Sequence, residues 1–440
     1  MSPTPQQLRI AGLGRCQVKS PLKLSSVRGD GIGNFMPDEA RMRHCVDYLP
    51  GEPTGGGAEA AAFEKAGPRE RIFFEPARTK AAIVTCGGLC PGMNNVIRSV
   101  FLQLHHGYGV SETWGIRYGY RGLNPANGCP PLRLTPEYVE HIHKLGGAVL
   151  GSSRGPEHPR VIVDFLETEK FDILFCVGGD GTQRGAHEIA EEASRRGLKI
   201  AVVGIPKTID NDLHYVWRSF GYYTALGEAR EVLDGAHAEA KGVPNGISLV
   251  KLMGRHAGFI AAGATLASQE VNFTLIPEVP FRLDGEHGFL ACLKRRMLDR
   301  GHAVIVVAEG AGQELLGGVE AATDASGNVK PGDIGVFLRE KIAGYFAREK
   351  MTVNVKYFDP SYVIRSVPAD TDDSLLCDRF ARNAVHAAMA GKTDCLIGLW
   401  YNIFIHVPIA LAVAERKYLS PESEVWTAVL AATGQPARFE

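Results

Sequence analysis

The sequence predicts an α/β fold in which mainly parallel sheets are covered by helices on both faces. Short apolar runs, the first at 81–84, alternate along the chain with segments whose apolar residues recur at helical spacing. Glycine-rich polar turns follow several of these runs, and the 51 glycines in 440 residues suit many tight strand-to-helix connections. A chain of this length accommodates two domains at about 150 residues each.

The order strand, turn, helix recurs from residue 79 onward. Strands are predicted at 81–84, 112–116, 173–177, 200–205, 247–251, 273–276 and 303–308. Helices are predicted at 94–102, 186–194, 221–237, 256–268, 289–300, 335–347 and 375–390. Ligands bind at the carboxyl ends of parallel strands, so the polar turns that follow these runs are expected to share one cleft.

Residues 1–76 differ in composition from the rest of the chain. They show little periodicity and include the linker-like GEPTGGG at 51–57, so we expect an N-terminal extension that is partly disordered. The first 29 residues contain no Asp or Glu and lack the apolar core of a secretory signal. We expect a cytoplasmic protein, and import into a plastid or another organelle is the alternative that this acid-free stretch leaves open.

Charge and hydropathy argue against two kinds of partner. The chain has 48 Lys and Arg against 49 Asp and Glu, so it lacks the basic excess typical of nucleic-acid binding. The stretch nearest to a membrane span, 396–413, is interrupted by Asn402, His406 and Pro408, so we expect it in the core.

The nine cysteines include no CxxC pair, which argues against a zinc site.

The motif GGDGT at 178–182 places a carboxylate inside a turn that suits anions. Glycines let the backbone approach a phosphate and present N–H groups to it, and a following helix adds its positive end. Asp180 would repel a phosphate unless a cation lay between them, and Mg²⁺ takes few carboxylates together with phosphate oxygens and waters. The alternative is that Asp180 is an ordinary helix N-cap.

A second motif, TIDND at 208–212, favours the catalytic interpretation. If its backbone is extended, Thr208, Asp210 and Asp212 lie on one side. One carboxylate can then act as a general base toward a hydroxyl, while the other orients that hydroxyl or helps to hold a metal. A turn that caps the end of the strand is the alternative.

Three later motifs suit a phosphorylated sugar. Gly254 allows close approach of the backbone, and Arg255 supplies a forked, permanent cation for a phosphate. Glu278 follows a predicted strand and can bind sugar hydroxyls. Lys356 and Arg365 form a late basic pair that can clamp a second phosphate, although each of these residues alone is also compatible with ordinary surface charge.

Taken in order, these motifs resemble the phosphofructokinase family over residues 80–400. The stretches TCGGLCPGMN (85–94), IPKTIDND (205–212), LVKLMGR (249–255) and VAEGAGQ (307–313) are similar to the plant-type 6-phosphofructokinases, a branch close to the pyrophosphate-dependent enzymes. The resemblance implies two similar Rossmann-like domains with the active site in the cleft between them. These are a nucleotide-binding domain of 77–222 plus about 366–415, and a sugar-phosphate-binding domain of 223–365 plus about 416–440.

The same resemblance implies a glycolytic reaction and a role for each motif residue. The γ-phosphate of ATP would pass, with Mg²⁺, to the C1 hydroxyl of fructose 6-phosphate, in a homo-oligomer that is a dimer or tetramer. Asp210 would take the hydroxyl proton, and Thr208 and Asp212 would hold the transferring group and its metal. The nucleotide phosphates would meet Gly88, Arg154, Gly155, Gly179, Asp180, Gly181 and Thr182, with Asp180 as the metal ligand. The sugar phosphate would meet Thr208, Ile209, Asp210, Met253, Gly254, Arg255, Glu278, Lys356, Tyr362, Val363, Ile364 and Arg365.

Two residues bear on the phosphate donor, and they point in opposite directions. The pyrophosphate users resemble GGDD where this chain has Gly181, and an Asp there would add bulk and negative charge where the nucleotide α-phosphate must pass. Lys207 resembles the pyrophosphate users, in which a lysine can cap a short diphosphate as a point charge. The plant-type ATP enzymes combine this Gly with this Lys, so ATP is the expected donor.

Some features depart from the family pattern. Gly246 stands where a bacterial enzyme has an Arg that reaches the neighbouring subunit, and the segment 400–406 departs from the GRHAYIP-like sequence of the plant-type branch, so allosteric behaviour is not carried over. The alternatives are a pyrophosphate-dependent enzyme and an inactive regulatory subunit, which should have lost Asp180, Asp210 or Asp212. An NAD or lipid kinase shares a GGDGT-like turn but leaves TIDND and MGR unexplained.

Overall fold

The structure, a computed structural model, describes residues 3–47, 61–317 and 332–440, and it divides into two compact units. Unit 1 comprises Met1–Thr208, Leu213–Gly221 and Pro368–Arg416, and unit 2 comprises Ile209–Asp212, Tyr222–Val367 and Lys417–Glu440. The assignment of a nucleotide to one domain and a sugar phosphate to the other stays a prediction. The linker-like stretch 51–57 lies outside the described residues.

Strands and helices alternate along most of the chain. The strands are β1 Ala11–Gly12, β2 Val18–Lys19, β3 Arg41–Arg43, β4 Ala62–Lys65, β5 Arg71–Ile72, β6 Lys80–Thr85, β7 Glu112–Ile116, β8 Leu132–Arg133, β9 Ile173–Gly178, β10 Ala201–Pro206, β11 Gly246–Leu252, β12 Phe273–Leu275, β13 His302–Ala308, β14 Asn354–Phe358, β15 Lys392–Thr393, β16 Cys395–Trp400 and β17 Ile403–Pro408. The α-helices are α1 Met93–Leu102, α2 Pro136–Val139, α3 Pro159–Thr168, α4 Asp180–Arg195, α5 Tyr222–Lys241, α6 Phe259–Ser268, α7 Phe289–Arg300, α8 Ile334–Arg348, α9 Thr371–Met389, α10 Ile409–Ala412 and α11 Glu424–Thr433. Short 3₁₀ helices lie at Pro76–Arg78, Gly119–Leu123, Pro125–Asn127, Ile142–Lys144 and Gln313–Leu316, and a π-helical stretch spans Gln103–Tyr108.

Unit 1 is built on a nine-stranded sheet in the order β3-β4-β17-β16-β10-β9-β6-β7-β8. The five central strands, from β16 to β7, are parallel, and the strands at both edges are antiparallel. Every residue of β9 and β10 is buried, which is why their sequences read as continuous apolar runs and not as alternating patterns. The predicted α/β fold with mainly parallel sheets is confirmed.

Two strands at one edge of the unit 1 sheet come from a part of the chain where no strand was predicted. β3 and β4 lie within residues 1–76, and β4 pairs with β17, so these described residues extend the main sheet. The reason for the miss is length, since strands of two to four residues are too short to display a period. The expectation that 1–76 is only an extension is therefore wrong for β3 and β4.

The segment 396–413 lies in the core, as expected, but it forms an antiparallel hairpin. β16 and β17 pair along their whole length, and the turn between them is made by Tyr401 and Asn402 with φ of 44° and 61°. Within the described ranges no helix combines the length and the apolarity needed to cross a bilayer.

Unit 2 is built on a four-stranded, fully parallel sheet in the order β12-β13-β11-β14. Helix α5 packs against β11 and β13, and α7 and α8 pack against β13 and β14 respectively. The predicted helix 289–300 matches α7 at both ends. α4 begins at Asp180, six residues before the predicted start, which places the acid of GGDGT in the first helical turn.

Candidate active site

In unit 1, the carboxyl ends of three neighbouring parallel strands bring the predicted nucleotide motifs together. β6 pairs with β9, and β9 pairs with β10, with Thr85 opposite Val177 and Gly178 opposite Pro206. The chain leaves these strands through the glycine turn at 86–92, the GGDGT turn and the TIDND stretch. Gly88, Asp180 and Lys207 therefore lie at one edge of the sheet, as the sequence predicted for residues that follow parallel strands.

Hydrogen bonds attach the segment 151–155 to the same edge. Ser152 Oγ donates to the Gly87 carbonyl at 2.6 Å, and the Gly87 N–H donates to the Ser153 carbonyl at 3.0 Å. These contacts place Arg154, whose side chain is exposed, and Gly155 beside the glycine turn that contains Gly88.

The start of α4 is held by contacts that explain its sequence. A Cβ at Gly178 would lie 2.2 Å from Thr182 Oγ1, so only glycine fits under the first helical turn. Gln183, which is fully buried, donates its amide to the carbonyls of Cys176, Gly178 and Ile205 and so joins the helix to β9 and β10. Sequence reasoning did not single out Gln183, because nothing in its local pattern indicates these contacts.

Asp180 lies in the first turn of α4, where the helix dipole favours an anion. Its carboxylate accepts two hydrogen bonds from Arg184, from Nε and Nη2, each at 3.2 Å. Arg416 Nη2 lies 3.7 Å from Asp180 Oδ2. The sequence did not identify either arginine as a site residue. Arg416 is far from Asp180 along the chain, and the position of Arg184 is typical of a solvent-facing helix residue.

The two donor-specificity residues differ in what surrounds them. A Cβ at Gly181 would have no atom within 4 Å, so the space beside this residue is open. Lys207 is buried, and its Nζ donates to the Gly88 carbonyl at 2.5 Å. The ammonium group thus lies at the glycine turn, among the residues predicted to meet the donor phosphates.

The TIDND stretch is not extended, so the predicted alternation of its side chains is wrong. Ile209 and Asp210 form a turn, and Asn211 has a φ of 54°, in the left-handed region that Asn tolerates better than most residues. Thr208, in unit 1, accepts a hydrogen bond at its carbonyl from Ser219 Oγ at 2.5 Å. The Asp212 carbonyl, in unit 2, accepts one from the Lys417 N–H at 3.0 Å.

Lys417 is a further residue that sequence reasoning missed. Its Nζ lies 5.0 Å from the centre of the Phe259 ring. Burial lowers the pKa of Lys417 to about 7, while the charge of Asp212 acts in the opposite direction. A lysine in this environment exchanges a proton near neutral pH.

In unit 2, the carboxyl ends of β11 and β13 form a second polar edge. Gly254 has a φ of 124°, and its carbonyl accepts a hydrogen bond from the Gly310 N–H at 3.1 Å. A Cβ at Gly310 would lie 1.9 Å from the Arg255 carbonyl, so the two glycines let the loops after β11 and β13 pack directly on each other. Met253 and Arg255 thereby lie next to the loop that follows Ala308.

Glu309, the first residue after β13, is an acid that the sequence analysis left without a role. It is half-buried, and burial raises its pKa, while the charges of Arg255, Lys251 and Arg365 lower it. Two of these cations are predicted sugar-phosphate ligands. An acid followed by glycine at the end of a strand, in VAEG, was the signal that could have identified it.

Glu278 follows β12, as predicted, but its carboxylate is engaged by the backbone. Oε1 accepts from the N–H groups of Gly258 at 2.9 Å and Leu419 at 2.8 Å, and Oε2 also accepts from Gly258 at 3.0 Å. Burial raises the pKa of Glu278, and these N–H groups lower it. The contacts hold the loop before α6 and the C-terminal segment, which is a positioning role.

The structure separates the predicted basic pair, since Arg365 follows β14 and Lys356 lies within it. Arg365 stacks on the Tyr362 ring at 5.0 Å, and both follow the carboxyl end of β14. Val363 is exposed, whereas Ile364 is fully buried, so its side chain belongs to the core. Lys356 lies inside β14, opposite Ser248 in β11, where it forms an ion pair with Glu239. The structure therefore brings Arg365 and Tyr362, but not Lys356, to the strand ends.

A site that offers only the carboxylate of Asp180 suits Mg²⁺ better than it suits a metal bound entirely by protein side chains. In the part of the chain that the structure describes, no group of three or more His, Cys, Asp or Glu side chains is placed to hold a metal. Mg²⁺ usually takes one or two carboxylates and completes its shell with phosphate oxygens and water. One carboxylate at a helix start, beside the open space at Gly181, matches that requirement.

Comparisons with known proteins agree with the motifs. A family model described as Phosphofructokinase matches residues 80–388. A protein of Borreliella burgdorferi named ATP-dependent 6-phosphofructokinase is 48% identical over 434 residues, which cover 97% of this chain and 96% of that protein. One of the same name from Amycolatopsis methanolica is 45% identical, covering 98% and 95% of the two chains.

Plant proteins and solved structures are also similar. ATP-dependent 6-phosphofructokinase 7 of Arabidopsis thaliana is 45% identical, covering 90% of this chain and 81% of that protein. The crystal structure of a pyrophosphate-dependent phosphofructokinase from Marinobacter aquaeolei has a TM-score of 0.66 at 19% identity, covering 81% of this chain and 91% of that one, a likeness of fold. With the family model matching well over half of its length, the chain belongs to the phosphofructokinase family.

Proposed function

We propose that this protein is an ATP-dependent 6-phosphofructokinase, which transfers the γ-phosphate of ATP to the C1 hydroxyl of fructose 6-phosphate and yields fructose 1,6-bisphosphate in glycolysis. The observation that carries the proposal is the turn Gly179-Asp180-Gly181 at the carboxyl end of β9, with Lys207 and Gly88 beside it. Relatives at 45–48% identity over almost the whole chain carry the same activity in their names.

The donor phosphates are bound by unit 1 residues in this proposal. Backbone N–H groups of Gly179 to Thr182 at the start of α4 receive them, and Arg154 adds a cation. Asp180 holds Mg²⁺, which when bound neutralises charge on the phosphates and orients them. The open space at Gly181 accommodates the α-phosphate of a nucleotide, which favours ATP over pyrophosphate.

The acceptor is bound and activated by residues of the TIDND stretch and of unit 2. Asp210 takes the proton of the C1 hydroxyl, and Thr208 and Asp212 position the transferring group. Arg255 and Arg365, with Glu309 beside them, bind the sugar phosphate. Positioning and charge neutralisation supply most of the catalysis in such transfers.

A coupled assay for fructose 1,6-bisphosphate, with ATP or pyrophosphate and with or without Mg²⁺, tests the function. We expect turnover that depends on Mg²⁺ and a kcat/KM for ATP far above that for pyrophosphate. A preference for pyrophosphate would make the protein the pyrophosphate-dependent enzyme. No turnover with either donor would favour the inactive regulatory subunit.

Substitution of Gly181 tests the donor argument on the same protein. Gly181→Asp should lower kcat/KM for ATP by about tenfold or more, because a like charge beside a phosphate costs at least about 1.4 kcal/mol. Gly181→Ala is the control, and since a Cβ there meets no atom within 4 Å, both variants should keep the wild-type melting temperature. An unchanged kcat/KM in Gly181→Asp would remove Gly181 from the specificity argument.

We also propose a cytoplasmic location and a homo-oligomer, a dimer or tetramer. The acid-free residues 1–29 keep organelle import as the alternative. Microscopy of the tagged full chain and light scattering of the purified protein decide these two points.

A further inference from the structure

We propose that Arg416 binds the phosphates of the nucleotide donor beside Asp180, so that the segment 413–416 completes the donor site of unit 1. The inference deepens the proposed function, on which it rests. All of its contacts lie within unit 1.

The first argument is the charge around Asp180. One carboxylate faces two guanidinium groups, Arg184 at 3.2 Å and Arg416 at 3.7 Å. Guanidinium stays protonated at any physiological pH, so the cluster carries a net positive charge at the start of a helix. The side chains of Arg184 and Arg416 are 51% and 28% exposed, so both are accessible to a ligand.

The second argument separates the two arginines. Arg184 Nη2 donates to the Val413 carbonyl at 2.5 Å as well as to Asp180, and it thereby anchors the segment 413–416. The backbone of Arg416 forms an antiparallel bridge with Leu213, the residue after TIDND. The backbone of Arg416 is thus fixed within unit 1.

The third argument concerns the hydrogen-bonding capacity of Arg416. At 3.7 Å, its contact with Asp180 is longer than a hydrogen bond, so this pair orients the guanidinium without using up its donors. A guanidinium presents five N–H donors in a planar fork that matches a phosphate. A nucleotide whose metal is held by Asp180 brings phosphate oxygens to this place.

The test compares Arg416→Gln with a matched control, Arg195→Gln. Arg195 lies at the far end of α4, where it pairs with Glu192 at 2.8 Å. Titration calorimetry with Mg²⁺ and a non-hydrolysable ATP analogue measures donor affinity, and a second titration measures fructose 6-phosphate. We expect Arg416→Gln to raise the analogue Kd by about tenfold to a hundredfold, the value of a charged hydrogen bond, and to leave the sugar-phosphate Kd and the melting temperature unchanged. Arg416→Lys should restore part of the affinity, and Arg195→Gln should behave as wild type.

The possible results distinguish a failure of the proposed role of Arg416 from a failure of the proposed function. An analogue Kd in Arg416→Gln that is equal to or below that of wild type overturns the role of Arg416. So does a parallel loss of both affinities together with a lower melting temperature, which would indicate a structural role. Wild-type protein that does not bind the analogue overturns the proposed function, and the role of Arg416 with it.

Discussion

Two acids of unit 2, Glu278 and Glu309, differ in the groups that act on their carboxylates. Glu278 and Glu309 both follow strands of the same sheet, and both are half-buried with raised pKa values. Glu278 accepts hydrogen bonds from two backbone N–H groups, whereas Glu309 lies among Arg255, Lys251 and Arg365. Glu278 as a sugar ligand stays a prediction, and the cationic charges that act on Glu309 make this residue a second candidate.

A matched pair of variants tests this distinction. Glu309→Gln should raise the KM for fructose 6-phosphate by about tenfold or more, because it removes a negative charge that acts on Arg255 and Arg365. Glu278→Gln should lower stability by about 1–3 kcal/mol, since the NH2 group that replaces Oε2 faces the Gly258 N–H, donor against donor. Steady-state kinetics and calorimetry of both variants measure the two effects. The opposite pattern, a KM effect in Glu278→Gln alone, would return the sugar to Glu278.

Asp210 carries the chemical step in the proposed function. Asp210→Ser should lower kcat by about 10²–10⁴-fold, the usual contribution of a general base, while the Kd for fructose 6-phosphate stays near that of wild type. Rapid-quench kinetics and a binding titration separate the two quantities. If kcat hardly changes, another group takes the proton, and Lys417, with its pKa near 7, is the next candidate.

At the scale of elements, a buried charge network attaches the N-terminal edge strands to the sheet. Glu64 in β4 accepts from Arg69, Lys392 and His406, at 3.0 to 3.1 Å. Burial opposes ionisation of Glu64, but the hydrogen bond from His406 and the charge of Lys392 hold its pKa well below the usual range. Burial also lowers the pKa of His406, while the hydrogen bond to Glu64 and the charge of Glu64 act in the opposite direction.

The network predicts how stability depends on pH. A lowered carboxyl pKa contributes stability above its unfolded value, and that contribution is lost as the pH falls through the folded pKa. Glu64→Gln should therefore cost about 1.5–3 kcal/mol at pH 7, because the buried Arg69 loses one of its two carboxylate partners. The difference from wild type should shrink as the pH drops below about 4.5.

Calorimetry of Glu64→Gln across this pH range provides the measurement. Glu75→Gln is the control, because Glu75 pairs with Arg78 at 3.9 Å with both side chains exposed, and its loss should cost at most about 1 kcal/mol. A difference between Glu64→Gln and wild type that is small at pH 7, or that grows on acidification, would contradict a stabilising network.

The elements also show which parts of the fold the sequence could predict. β9 and β10 were predictable because six consecutive buried residues leave a clear apolar run. β3 and β4 were not, because each is held by its partners across the sheet and not by a period of its own. In the site, the glycine turns after β6 and β9 could be predicted locally, whereas Arg416 beside Asp180 depends on a long-range contact.

For the whole molecule, three of the positions where the chain passes between its units lie next to residues of the proposed function. One passage lies between Thr208 and Ile209 and the next between Asp212 and Leu213, so the two enclose IDND, the last four residues of the TIDND stretch. Another lies between Arg416 and Lys417. The proposed donor ligands belong to unit 1, and Arg255, Glu309 and Arg365 belong to unit 2, so the two substrates can be tested separately.

Removal of Mg²⁺ should therefore affect the two substrates differently. With EDTA, turnover with ATP should stop and affinity for a non-hydrolysable ATP analogue should fall, since the metal that would link Asp180 to the phosphates is then removed. Fructose 6-phosphate should still bind, and at about 100 times its Kd it should still stabilise the protein by about 2.7 kcal/mol. Titration calorimetry and thermal unfolding with EDTA, and again after Mg²⁺ is restored, measure both effects. Loss of sugar-phosphate binding in EDTA would place the metal at the acceptor and would contradict the assignment of the metal to Asp180.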